Sequence, residues 1–205
     1  MRADPVEARA LRQAQGTSRS KLVGVLAAIA LIVLSAVGLQ LSEPEGKKFQ
    51  VISGVPGETI KVNNGEVTVT RVRVGTFLIE RDEISDRTPG MFVVVTVTAA
   101  ATGPKDLKLT EAQLLSKQVR YDEYETLGGL IATPGFQISS DAVFEVDPAQ
   151  IDDLTLEMWP RESISGYQEH VRITLDITAD NAEQWRSAAK DRGIEVARAT
   201  TRAIP

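Results

Sequence analysis

The sequence predicts an all-β sandwich that is preceded by one transmembrane helix and followed by a short C-terminal helix. Three observations lead to this fold class. Residues 22–39 form an uninterrupted apolar run, a long stretch after Phe49 alternates apolar and polar side chains in twos, and residues 182–192 are rich in helix formers. The chain therefore divides into a head (1–21), a transmembrane helix (22–41), a linker (42–48), a β-sandwich (49–178) and a C-terminal helix and tail (179–205).

The apolar run has the length and composition of a membrane span. It contains no charged residue, and Ser35 is its only polar side chain. At ~1.5 Å rise per residue it extends roughly 27 Å, close to the ~30 Å hydrocarbon thickness of a bilayer. Arg19 and Lys21 lie just before it, and positive charge favours the cytoplasmic side. We therefore expect a single-pass cell-membrane protein with a cytoplasmic N-terminus and an extracytoplasmic C-terminal domain.

A cleaved signal peptide is the alternative for the same segment. Ala36-Val37-Gly38 has the small residues of a cleavage site. However, the apolar run is longer than the core of a typical signal peptide, and the head that precedes it is long and mixed in charge. These features favour an uncleaved anchor, and the alternative remains open at this point.

Composition narrows the class of partner. Residues 1–21 carry five basic and two acidic residues, whereas the rest of the chain carries 18 basic and 26 acidic residues, so an exported domain would be acidic. An acidic domain without a basic stripe is a poor match for nucleic acid. The chain has no cysteine, which excludes disulfides, thiolate metal sites and a cysteine nucleophile.

The predicted sandwich begins after a polar linker that contains Pro44 and Gly46. Strands at 59–62 and 67–74 flank Asn63-Asn64-Gly65, and Asn-Gly accepts the positive φ angles of a tight hairpin turn. Within 67–74 the apolar residues change parity, which predicts a β-bulge near Thr70-Arg71. The best candidate for a central strand is 91–99, and the longest alternation covers 136–146. Further strands are predicted at 49–52, 77–80, 107–110, 114–121, 154–158 and 171–177.

The pattern changes after residue 179. Asp180 is placed to cap a helix at 182–192, with Glu183 at the reciprocal capping position and Gly193 at the end. We expect Trp185 to pack this helix against a sheet. Residues 194–196 suit a short strand, and 200–205 read as a loose tail.

Two segments of the sandwich carry more specific motifs. Residues 93–98 read VVVTVT, and further along Pro134-Gly135 precedes a strand that ends with AVFEVDP at 142–148. In this order they resemble the exported bacterial domains called DUF4352, which have the telokin-like or MPT63-like immunoglobulin fold. The resemblance spans 59–178 and implies an immunoglobulin-like β-sandwich that is membrane-tethered or secreted, with no catalytic residues. It departs from the family at residues 99–101, where alanines replace a frequent Asn, and in the C-terminal helix.

Candidates for catalysis and metal binding are few. His170 is the only histidine, and it lies on the parity opposite to the apolar face of its strand, so we expect it to face solvent rather than act in a triad. Asp147, Asp152 and Asp153 are the best candidates for a calcium loop, although acidic runs on β-loops are usually solvated. We therefore expect no enzyme activity, no cofactor and no metal.

Several aromatic and leucine-type residues have no obvious place in the strands. Such side chains on loops either pack under the ends of a sandwich or form a partner surface. The candidates for partner binding are Leu127, Leu130, Ile131, Trp159, Tyr121 and Tyr124.

Two functions fit these observations. The first is an immunoglobulin-like binding module, an accessory subunit of a cell-envelope membrane complex for transport, secretion or wall assembly. The second is a secreted or tethered domain that binds a small molecule, lipid or glycan. Sandwich folds host many functions, so the fold alone does not choose between them.

Overall fold

The computed structural model describes residues 48–117, 119–124, 129–161 and 167–204, with the side chains of 48, 49, 167 and 168 excepted. The predicted head, the predicted transmembrane segment 22–41 and residues 42–47 of the linker lie outside these ranges. No helix in the described ranges is both long and apolar enough to cross a membrane.

The described chain folds as a β-sandwich of two main sheets with a small two-stranded ribbon. Sheet I has the order β1-β11-β10-β6-β7, sheet II has the order β12-β3-β4-β9-β13 with β2 also paired to β3, and β5 pairs with β8. The strands are β1 (Lys48–Gly54), β2 (Thr59–Val62), β3 (Gly65–Glu80), β4 (Glu83–Ala100), β5 (Leu107–Leu109), β6 (Glu111–Leu115), β7 (Arg120–Asp122), β8 (Leu130–Ala132), β9 (Phe136–Val146), β10 (Thr155–Trp159), β11 (Tyr167–Thr174), β12 (Gly193–Glu195) and β13 (Thr200–Ala203); one α-helix, α1, covers Ala182–Ala189.

The two sheets bury their inner faces against each other. Valines at alternate positions of β4 meet Leu156 and Met158 of β10 and Ile173 of β11 in one continuous apolar core. This burial is the main stabilising contribution, at about 25 cal/mol per Å² of apolar surface. The predicted all-β class and the central position of the 91–99 segment are confirmed, since β4 lies in the middle of sheet II.

The β2–β3 hairpin and the bulge are also confirmed. Val62 pairs with Gly65 across a two-residue turn, and the β3–β4 register shifts between Val69 and Arg71. The expected positive φ angles are absent from this turn. They occur instead in the β3–β4 turn, at Arg81 (φ 52°) and Asp82 (φ 66°).

Four local predictions are wrong. The segment 114–121 is not one strand, because Ser116 N donates to Val119 O and turns the chain between β6 and β7. Leu130 and Ile131 lie in β8 rather than in a loop. The helix starts after Asn181 instead of Asp180 and ends at Ala189, well before Gly193. The expected loose tail contains β13, which pairs with β9.

The C-terminal residues 193–203, here called the C-terminal strap, run across the outer face of sheet II from one edge to the other. The strap begins as β12, parallel to the edge of β3, and ends as β13 on the opposite edge against β9. Ile194 joins Leu78, Phe92, Val94 and Val143 in a second apolar cluster. Gly75 permits this approach, because a Cβ atom there would lie 2.5 Å from Arg192 O. The central part of sheet II is therefore buried on both faces.

A buried carboxylate fixes the strap to the sheet. Asp141 accepts hydrogen bonds from Arg73 Nη2 at 2.6 Å, Thr96 Oγ1 at 2.6 Å and Ala197 N at 2.7 Å. Arg73 Nη1 also donates to Glu195 O. In the sequence Asp141 falls on the polar side of the β9 alternation, but the strap covers this face and the Asp141 side chain is fully buried.

The α1 helix closes one end of the core, and Trp185 packs on the core as predicted. Its indole Nε1 donates to Asp176 O at 3.0 Å. Asn181 holds the turn before the helix: it accepts from Thr178 N and donates to Asp176 O.

Replacing Asp141 should test the strap attachment. Asp141→Ala leaves the Arg73 guanidinium without its ion-pair partner and Ala197 N without its acceptor, and losing one partner of a buried ion pair costs about 3–5 kcal/mol. We expect a loss of this size in the free energy of unfolding, measured by urea denaturation, together with faster amide hydrogen exchange across residues 193–203. Asp180→Ala removes an exposed carboxylate and is the matched control. Equal losses in the two variants would contradict the role assigned to Asp141.

Candidate binding sites

The outer face of sheet I carries an aromatic and charged group, here called the Trp159 cluster, formed by Trp159, His170, Glu157 and Arg172. The Trp159 and His170 rings stack with centroids 5.4 Å apart and planes inclined by 13°. Glu157 Oε1 accepts from Arg172 Nη2 at 2.8 Å and lies 3.5 Å from His170 Nδ1. These side chains occupy the alternate positions of β10 and β11 that face away from the core, whereas Met158 and Val171 face into it and are buried.

His170 does not project freely into solvent. Its side chain is 14% exposed, so the expectation of a solvent-facing residue is wrong. The parity argument placed it on the correct face of the sheet, but the neighbouring Trp159 ring and the Glu157 carboxylate cover much of the imidazole. These contacts fix the plane of the ring.

The structure does not bring the predicted partner-binding residues to one surface. Leu130 is buried and Tyr121 is half-buried against the core, whereas Ile131 is 43% exposed. Tyr124 lies on the other side of the molecule, on the outer face of sheet II, with its ring edge on Phe92 and its hydroxyl donating to Asp86. Leu127 lies outside the described residues.

The Tyr124 hydroxyl has a clear electrostatic effect. Its hydrogen bond, followed by that of the Arg87 amide, lowers the pKa of Asp86. The same side chain covers Phe92, which is completely buried. Tyr124 therefore belongs to the outer covering of sheet II, despite being 39% exposed.

A second feature is a small acidic pocket between the sheets, where β7 ends. Glu123 and Glu111 line it together with Thr110, Ser140 and the apolar side chain of Leu130. Burial, and next the Glu111 carboxylate, raise the pKa of Glu123 to about 7. The space open to the centre of a water molecule is about 20 Å³, which suits roughly one water.

Glu123 also lies at the side of the sandwich, where backbone contacts connect the two sheets. Its backbone forms a bridge with Phe144 of β9, and Tyr124 N donates to Val143 O at 2.7 Å. Ionisation of Glu123 therefore places a second negative charge beside Glu111 at the connection between the sheets.

A third feature is a cleft at one end of the sandwich, here called the end cleft, with a volume of about 540 Å³. The β2–β3 turn forms one wall, and residues 105–109 form another. Asn63 N donates to Glu169 Oε2 at 2.6 Å, which ties this turn to the first residues of β11. Buried Leu107, Leu109 and Val171 form an apolar floor.

Two of the three aspartates considered as calcium ligands, Asp147 and Asp153, have other partners. Asp147 Oδ1 accepts from Ala149 N and caps a short 3-10 turn, while Asp153 pairs with Lys117 Nζ at 2.8 Å. Within the described ranges, no group of three or more His, Asp or Glu side chains could hold a metal ion.

Comparison with known proteins gives only distant similarities. No protein-family model and no curated protein matches the sequence. Among solved structures, the yjhA protein of Bacillus subtilis has a TM-score of 0.44 at 14% identity, over 60% of this chain and 99% of that chain. An uncharacterized β-sandwich protein of Clostridium difficile 630 has a TM-score of 0.40 at 11% identity, over 63% and 99%. The ycdA protein of Bacillus subtilis has a TM-score of 0.40 at 15% identity, over 57% and 38%. Similarity at this level assigns no activity to the chain.

The acidic pocket makes a prediction about stability and pH. The folded-state pKa of Glu123 lies above its ordinary value of 4.5, so the folded protein retains a proton that the unfolded chain releases. This contribution to stability is complete below about pH 4.5 and is lost as the pH rises through about 7. The loss should be roughly 1–2 kcal/mol, less than the ~3 kcal/mol equivalent of the full pKa change, because water screens the partly buried carboxyl.

Urea denaturation between pH 4.5 and 8 measures this dependence. Glu123→Gln should flatten the pH profile of the free energy of unfolding over this range, whereas Glu183→Gln, which alters a side chain that is 85% exposed, should leave it unchanged. Identical profiles for the wild type and Glu123→Gln would contradict the assignment.

Proposed function

We propose that the protein is a single-pass, membrane-anchored, extracytoplasmic binding module of the immunoglobulin-like DUF4352 type, and an accessory subunit of a cell-envelope membrane complex. The apolar run at 22–39 and the charges that precede it support the anchor. The two-sheet core supports a self-contained exported domain. The proposal includes no catalytic role, no cofactor and no nucleic acid.

The Trp159 cluster is the observation that carries the proposal. Tryptophan and arginine are enriched among the residues that dominate binding energy at protein interfaces. Here both lie on the outer face of sheet I, where Arg172 is 42% exposed and Val51 of the adjoining β1 is also 42% exposed. The carboxylate of Glu157, the cross-strand neighbour of Arg172, accepts a hydrogen bond from its guanidinium and orients it. By contrast, the C-terminal strap already occupies the outer face of sheet II. We therefore assign partner binding to sheet I.

Membrane topology can be tested with single cysteines, because the natural chain has none. Ser18→Cys lies before the apolar run, and Asp180→Cys lies at an exposed position of the described domain. A membrane-impermeant maleimide applied to intact cells should label Asp180→Cys and should label Ser18→Cys only after lysis. The Asp180→Cys protein should sediment with the membranes.

Labelling of Ser18→Cys in intact cells would contradict the proposed orientation. Recovery of the Asp180→Cys protein in the medium, shortened near residue 38, would show that the segment is a cleaved signal peptide and would overturn the anchor.

Partner binding can be tested by purifying the tagged full-length protein from native membranes in a mild detergent. We expect a stoichiometric membrane-protein partner, identified by mass spectrometry. Trp159→Ala should lower the affinity of the protein for this partner by roughly 30-fold, as expected for the loss of an interface hot spot of about 2 kcal/mol.

Tyr124→Ala is the matched control, since it removes a partly exposed aromatic side chain that lies on the outer face of sheet II. Urea denaturation of both variants should separate weaker binding from misfolding. A monomeric protein without a partner, or greater loss with Tyr124→Ala than with Trp159→Ala, would contradict the assignment of sheet I.

A further inference from the structure

The end cleft has the properties of a small-molecule site. Its volume of about 540 Å³ lies within the ~300–1,000 Å³ range of ligand-binding pockets. It also combines an apolar floor with a small number of polar groups on its walls, as such pockets usually do. No part of the proposed partner surface contributes to it, since the Trp159 cluster lies on the outer face of sheet I.

Four charged residues line the cleft, and their signs balance. Lys105 and Lys108 lie on the segment that forms one wall, with Asp106 between them, and Glu169 lies across the cleft on β11. Within the described ranges, no ion pair connects either lysine to Asp106 or Glu169. The lysine ammonium groups and the carboxylates are therefore available to a ligand that carries both charges.

Glu169 has a fixed position in this arrangement. Its Oε2 accepts from Asn63 N at 2.6 Å, a hydrogen bond that holds the carboxylate at the cleft wall and leaves its second oxygen for another donor. The lysines are exposed and have long, adjustable side chains. One wall of the cleft thus offers a preorganised acceptor, and the other offers two mobile cations.

We propose that the end cleft binds a small zwitterion of the amino-acid or short-peptide class. The ligand ammonium group would contact Glu169, its carboxylate would contact Lys105 and Lys108, and an apolar side chain would cover Leu107 and Val171. A purely anionic ligand would meet the Glu169 and Asp106 carboxylates, and a purely cationic ligand would meet both lysines. Only a molecule with separated opposite charges matches both walls.

The ligand series that tests this is based on L-leucyl-L-leucine. Isothermal titration calorimetry of the full-length protein in detergent should detect saturable binding of the dipeptide. The N-acetylated dipeptide, which lacks the ammonium group, and the dipeptide amide, which lacks the carboxylate, should each bind at least about tenfold more weakly, because each loses a hydrogen bond to a charged group.

The variants test the two walls separately. The double variant Lys105→Gln with Lys108→Gln should lower the affinity for the free dipeptide about tenfold and have little effect on the affinity for the dipeptide amide. Glu169→Gln should also lower the affinity for the free dipeptide about tenfold, but it should have little effect on the affinity for the N-acetylated dipeptide. Glu169→Gln keeps a side-chain oxygen that can accept from Asn63 N, so the cleft wall is preserved. Lys190→Gln, an exposed lysine on the turn after α1, is the control and should bind like the wild type.

Absence of binding at millimolar dipeptide would overturn the proposal. Equal affinity for the three ligand forms would also overturn it, because the charges would then play no part. Loss of binding in Lys190→Gln to the same extent as in the cleft variants would show that the effect is not specific to the cleft. None of these results depends on whether Trp159 binds a protein partner.

Discussion

The buried carboxylate of Asp141 is the interaction on which the arrangement of sheet II depends. Arg73, Thr96 and Asp141 come from three adjacent strands; Thr96 lies directly opposite Asp141, and Arg73 reaches both from two residues further along β3. An unpaired carboxylate in this position would be strongly unfavourable, but here two charge-assisted hydrogen bonds and a backbone amide satisfy it. Because the same group binds both the sheet and the strap, the burial of Phe92 and Val94 depends on it as well.

Much of the fold follows from periodicity in the sequence. Where one face of a strand meets the core and the other is polar, alternation fixes the position of the strand, and the predicted bounds 59–62 and 136–146 coincide with β2 and β9. The predictions failed where tertiary contacts outweigh local pattern. Asp141 is polar in sequence but is covered by a strap that arrives more than fifty residues later in the chain, and β13 is too polar to be recognised without its partner β9.

The candidate sites are much harder to predict from the sequence than the fold is. The sequence marks His170 as the only histidine and Trp159 as an aromatic residue at the end of a strand, but it does not indicate that their rings stack, since this requires the register of β10 on β11. No pattern in the sequence predicts the end cleft. Its walls come from residues 62–64 and 105–109 and from Glu169 and Val171, and the local sequence around each of them has no distinctive pattern. The hydrogen bond between Asn63, in the β2–β3 turn of sheet II, and Glu169, in β11 of sheet I, brings these segments together as one site.

The way in which the chain enters the sandwich affects how the domain bears mechanical load. β1 is the first strand of sheet I, and its seven residues pair in parallel with β11 from Lys48 to Gly54. A pull along β1 from its N-terminal end therefore acts as shear, and all of these pairs must yield together. If the same force peeled β1 away from the edge, the pairs would break one after another. Tension transmitted through the residues before Lys48 thus meets its greatest resistance along the strand axis, so β1 can serve as a mechanical clamp at the point of entry.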